Sequence, residues 1–90
     1  MSAARVKLRS DALEWRRLEG EIVALDLRSS EYLAVNRTGA AIWDLLVEGA
    51  PEEELAARVS AEFAVPAEEA AKDVRNFVAQ LAAQDLLESS

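Results

Sequence analysis

The stretch Glu31-Tyr-Leu-Ala-Val-Asn-Arg-Thr-Gly-Ala-Ala-Ile-Trp-Asp-Leu-Leu-Val-Glu-Gly49 decides how this chain folds. Over residues 31–36 the side chains alternate, Leu33 and Val35 to one side, Tyr32 and Ala34 to the other. That is a half-buried strand. From residue 37 the spacing becomes helical, with Ile42, Leu45 and Leu46 on one face and Trp43 beside them. Thr38 is the expected N-cap, Asn36 fits the strand-to-helix turn, and Gly49 suits a left-handed stop. A strand joined so tightly to a helix anchors a small α+β domain. A strand with a free edge can also pair with an extended peptide from another protein.

Upstream, the apolar positions keep a period near two: Leu13 and Trp15, then Val23, Leu25 and Leu27. Strands are therefore expected over residues 13–18, 20–28 and 31–36. Glu19-Gly20 and Arg28-Ser29-Ser30 have the length of hairpin connections, although neither is the Asn-Gly type. Residues 5–9 read as a short edge strand or an ordered arm.

Downstream, Pro51 at a first-turn position followed by Glu52, Glu53 and Glu54 is a favourable helix start, because anions there meet the positive end of the dipole. Leu55, Val59 and Phe63 form its buried stripe, and Val65-Pro66 breaks it. A third helix over residues 67–83 carries Ala70, Val74, Phe77, Val78 and Leu81, with Leu86 and Leu87 as a docked tail. The expected fold is α+β, an N-terminal three-stranded antiparallel sheet followed by three helices, reminiscent of winged helix-turn-helix domains. The whole chain, 1–90, reads as a single domain.

The inventory of reactive side chains is short. Cysteine and histidine are both absent, which removes thiol chemistry, cysteine-ligated metals and the commonest general base. No Asp-x-Asp-x-Asp-Gly calcium loop is present either. No catalytic, cofactor or metal site is expected. The net charge of −7 is uneven: residues 1–36 balance six acids against six bases, and the remainder holds eleven acids against Arg37, Arg58, Lys72 and Arg75. Such a helical half binds nucleic acid poorly. No apolar run approaches a membrane span, and the N-terminus lacks the apolar centre of a signal peptide. A cytoplasmic protein is expected.

The ordered set Glu31-Tyr-Leu-Ala-Val-Asn36, Gly39-Ala-Ala-Ile-Trp-Asp-Leu-Leu46, Asp73-Val-x-x-Phe-Val-x-x-Leu81 and Asp85-Leu-Leu87 resembles the PqqD family over roughly residues 10–88. The family comprises small proteins of pyrroloquinoline-quinone biosynthesis and the related recognition elements of ribosomally made, post-translationally modified peptides (RiPP recognition elements). The resemblance implies a binding module and not an enzyme, one that holds the leader of a precursor peptide for a partner. The leader would lie as an added strand between the third strand and the third helix. A free-standing member of this length also resembles the recognition subunit of lasso-peptide systems, which works with a separate leader peptidase. The alternatives are a PqqD proper, serving a radical-SAM enzyme, and a winged-helix DNA-binding regulator. The open strand edge also offers a route to a homodimer.

On that reading, the peptide-binding residues are Glu31, Tyr32, Leu33, Ala34 and Val35 from the strand, and Asp73, Val74, Arg75, Phe77, Val78 and Leu81 from the helix. Read without the family, Leu33, Val35 and the helical apolar stripe are core, and the charged residues are a solvated face. Phe77 is the favoured wall of an anchor pocket, since an aromatic gives large contact area at low entropy cost. Trp43 reads as a core plug whose indole N–H reaches a partner or solvent, and Trp15 as ordinary sheet packing.

Overall fold

The structure, a computed structural model, describes residues 5–88. It runs β1 (Arg5–Val6), a short 3-10 turn (Ser10–Ala12), β2 (Leu13–Leu18), β3 (Glu21–Asp26), β4 (Glu31–Val35), α1 (Arg37–Glu48), β5 (Ala50–Pro51), α2 (Glu52–Phe63) and α3 (Ala67–Ala83). Strands β2, β3 and β4 form one antiparallel sheet in that order, and β1 pairs with β5 in a separate small ribbon. The expected α+β fold is thus present, a three-stranded sheet followed by three helices.

Glu19 and Gly20 make the β2–β3 turn, both with positive φ (46° and 83°), so this two-residue hairpin has the sense that matches strand twist. Strand β3 ends at Asp26, two residues short of expectation. Asp26 Oδ1 accepts the backbone N–H of Arg28 at 2.9 Å and turns the chain locally, while Ser30 N–H closes on the Asp26 carbonyl at 2.7 Å.

Register decides which residues of the sheet face inward. Ile22 pairs with Val35 and Ala24 with Leu33, placing Ile22, Ala24 and Val35 in the core. Val23 and Leu25 therefore face outward, opposite Ala34 and Tyr32, and Leu27 lies exposed in the turn. The alternation of Val23, Leu25 and Leu27 was a true period of two that marks the other face. Alanine at 24 hid the inner one.

One residue, Asn36, links β4 to α1. It is the N-cap: its Oδ1 accepts the N–H of Gly39 at 3.0 Å. Thr38 lies inside the first turn, so the expected cap moves two positions upstream. At the other end Gly49 has φ 94° and ψ 126°, outside the left-handed helical well but still a conformation that favours glycine. Its N–H closes on the Leu45 carbonyl, and the chain leaves extended into β5. Pro51 is held extended (ψ 151°) by its pairing with Arg5, so α2 begins one residue later, at Glu52. Ala64, left-handed at φ 53°, and the bond from Ser60 Oγ to the Val65 carbonyl make the α2–α3 corner.

The buried residues form one cluster, which includes Leu8, Ile22, Ile42, Trp43, Leu46, Leu55, Val59, Val74, Leu81 and Leu86. Helix α1 bridges the sheet and α2, and α3 packs along α2. Residues 5–9 are an arm that pairs with 50–51 and then threads beside the tail: Leu8 donates to the Leu46 carbonyl, and Arg9 to that of Leu86. Trp43 is fully buried, edge-to-face with Trp15 at 5.9 Å between centroids. Its Nε1 finds no hydrogen-bond partner among the described residues, contrary to expectation.

Candidate functional site: a trench between β4 and α3

Strand β4 has β3 on one side only, so its other edge presents unpaired backbone groups. Because α3 packs on α2 rather than against the sheet, a trench opens between that edge and the helix. It has two concave ends. The larger, about 430 Å³, is lined by Leu13, Leu33, Ala83 and Leu86 and rimmed by Asp26, Arg28, Glu31, Gln84 and Asp85. The smaller, about 280 Å³, is lined by Asn36, Thr38, Gly39, Asp73, Asn76, Phe77 and Gln80.

The strand residues divide as the pleat requires. Glu31, Tyr32 and Ala34 are exposed, Leu33 is half-buried at the trench floor, and Val35 is in the core and offers the trench little beyond its backbone. On α3, Asp73, Asn76, Phe77 and Gln80, followed by the C-cap Gln84, succeed one another at helical spacing and face the trench. Phe77 is half-buried and forms part of the wall. Val74 and Leu81 are each 1 % exposed and have no surface for a ligand; they pack in the core. Val78 packs on the core cluster, and Arg75 is exposed but lies nearly opposite the trench stripe on the helical wheel. Lining the trench, then, are Asp73 and Phe77 from the helix residues proposed above, and Glu31 and Leu33 from the strand.

Asn76, Gln80, Gln84, Arg28 and Asp85 were not read as site residues from the sequence. The signal for the first three was a second, polar stripe beginning at Asp73, at i+3, i+7 and i+11. The apolar stripe drew attention to the core face instead.

A charged clasp closes the larger end. Arg28 reaches Asp85 Oδ2 at 3.1 Å and the Asp85 carbonyl at 2.7 Å, and also contacts Asp26 Oδ1 at 3.3 Å. Arg9 meets Asp85 Oδ1 at 3.2 Å from the other side. The Arg28 backbone N–H, and then its side chain, hold the Asp26 carboxyl below the usual carboxylate value. The hydrogen bonds to Asp26 and then Asp85 raise the Arg28 guanidinium correspondingly. The clasp ties the β3–β4 turn to the end of α3, so the two walls are joined there.

On the outer face of the sheet, Leu18, Val23, Leu25 and Tyr32 line a further shallow concavity, with Tyr32 75 % and Leu18 49 % exposed. Among the described residues, no group of acidic side chains is arranged to hold a metal ion, and no helix is long and apolar enough to cross a membrane.

A small sheet whose outer β4 edge faces a helix across a trench defines an α+β peptide-docking type of domain. The chain belongs to the PqqD family: the family profile, "Coenzyme PQQ synthesis protein D (PqqD)", matches residues 21–87. Among solved structures it is similar to "TbiB1 in Complex with the TbiA(beta) Leader Peptide". That match has 34 % identity, covers 93 % of this chain and 96 % of the other, and has a TM-score of 0.81. It is also similar to "Lasso peptide synthetase B1 complexed with the leader peptide", with 26 % identity over 93 % of this chain and 98 % of that one, at a TM-score of 0.78. No curated protein matches the chain.

Proposed function

We propose that this protein is the leader-recognition subunit of a lasso-peptide maturation system. It binds the leader of a ribosomally made precursor as an extra strand on β4 and delivers it to a leader peptidase or other maturation enzyme. The observation that carries this reading is the open β4 edge facing α3 across a trench with a concavity at each end. Likeness to two proteins solved with leader peptides supports it.

The chemistry is that of docking, with no bond made or broken. The β4 edge satisfies the guest backbone, and side chains of one parity drop into the trench. Leu33 and Ala83, backed by the buried Leu13 and Leu86, take an apolar anchor at one end. Asn36, Asp73, Asn76 and Gln80 take polar or cationic groups at the other. Of the strand and helix positions expected from the sequence, Glu31, Tyr32, Leu33, Ala34, Asp73 and Phe77 remain the proposed contacts, with Val35 contributing backbone.

The test is fluorescence-polarisation titration with labelled TbiA(β) leader peptide, beside selection from a random-peptide phage library on the immobilised protein. Saturable binding that a competing leader displaces is expected. A protein that neither binds that leader nor enriches any peptide would remove this reading.

A further inference from the structure

We infer that Gly39 sets the width of the trench at its Asn36 end, by letting Phe77 and Val35 close on the first turn of α1. This rests on the peptide-docking reading above and adds a positioning residue to it. A Cβ at Gly39 would lie 2.5 Å from Val35 Cγ1, 2.8 Å from Phe77 Cζ and 3.1 Å from Phe77 Cε1. The first two are closer than real Cβ atoms approach a neighbour, and the third is tighter than most. Gly39 is buried in ordinary helix, so close approach and not a special φ is what demands glycine here.

The residue cannot simply withdraw. Its N–H is held by Asn36 Oδ1 at 3.0 Å, so moving it breaks the cap that joins β4 to α1. The remaining freedom lies with the two neighbours. Val35 is a strand residue in the core, and its displacement carries β4 with it. Phe77 is half-buried and borders open space, so its ring swings into the trench where the guest would lie. Either response alters the spacing between the docking edge and the opposite wall.

Helix propensity makes the opposite prediction, because alanine ordinarily stabilises a helix relative to glycine. Gly39→Ala is therefore expected to lower the melting temperature and to weaken binding of the TbiA(β) leader, or of a phage-selected peptide, about tenfold or more. Affinity is measured where the variant is fully folded, beside Val59→Ala, a core variant remote from the trench that lowers stability but keeps its affinity. In NMR spectra the Phe77 ring signals should shift in Gly39→Ala and stay in place in Val59→Ala. Adding Val35→Ala, which deletes the nearest clash, should restore part of the affinity lost by Gly39→Ala. If Gly39→Ala alone does not fold, the Val35→Ala/Gly39→Ala protein carries the same comparison against Val35→Ala.

Unchanged affinity with unmoved Phe77 signals in folded Gly39→Ala would overturn the inference. So would a double variant no better than the single one, or one that still fails to fold. Absence of any peptide bound by the unaltered protein overturns the docking reading itself, and Gly39's role with it.

Discussion

Phe77 combines two duties that pull in different directions: it packs against the core cluster and it faces the trench. Phe77→Ala should weaken leader binding by roughly 1–3 kcal/mol if the ring is an anchor wall. Polarisation titration at a temperature where the variant is fully folded reads that loss; undiminished affinity would take Phe77 out of the site. Asp26 makes a second residue-level prediction through its titration. A carboxyl lowered in the folded state adds stability above the unfolded value and loses it as pH falls through the folded one. The Arg28 N–H, and then its side chain, hold this carboxyl below the ordinary aspartate value, so the Asp26–Arg28 contact should persist where an ordinary aspartate begins to protonate and fail only at lower pH. A carboxyl carbon NMR titration checks this, the Asp26 midpoint being expected below the ordinary aspartate value.

At the scale of elements, β4 is the part whose behaviour the docking reading constrains most. Every second amide of residues 31–35 points away from β3 and is expected to exchange freely in the unbound protein. Adding TbiA(β) leader should protect that one parity, while the amides already bonded to β3 change little. Hydrogen-exchange NMR resolves the two sets; uniform protection, or none, would contradict strand addition. The α1 terminus offers a stability counterpart. Gly49 has φ 94°, so Gly49→Ala should destabilise by about 1 kcal/mol or more through backbone strain, since the nearest side-chain contact, to Lys7 at 3.4 Å, is ordinary. Urea denaturation measures it.

For the molecule as a whole, the arm is the least obvious contributor. Leu8 is fully buried, donates its N–H to the Leu46 carbonyl and bridges Leu87, so it joins α1 to the tail. Leu8→Ala should cost about 2–5 kcal/mol, a large share of the stability of so small a protein. Thermal unfolding would show it as a marked fall in Tm. Charge gives the complementary expectation. Residues 51–84, which span α2 and α3, hold seven acids against Arg58, Lys72 and Arg75. A gel-shift with duplex DNA at low salt should therefore show no complex, where a winged-helix regulator would bind even non-specifically.

The sequence by itself determined the strand and helix types, the break at Val65-Pro66, the extent of α3 and the family likeness. These rest on local periods, on proline geometry and on turn chemistry, all of which act between residues near in the chain. Only the tertiary structure decided which face of β3 is buried, since a period of two fits either face and alanine at 24 gives no apolar signal. It alone assigned Val74 and Leu81 to the core and turned Asp73, Asn76 and Gln80 to the trench, because that division depends on how α3 leans on α2. The stretch from Glu31 to Gly49 shows the same boundary: its strand and helix were legible residue by residue. The trench beside it was not, being a gap between segments some forty residues apart in sequence, set by packing.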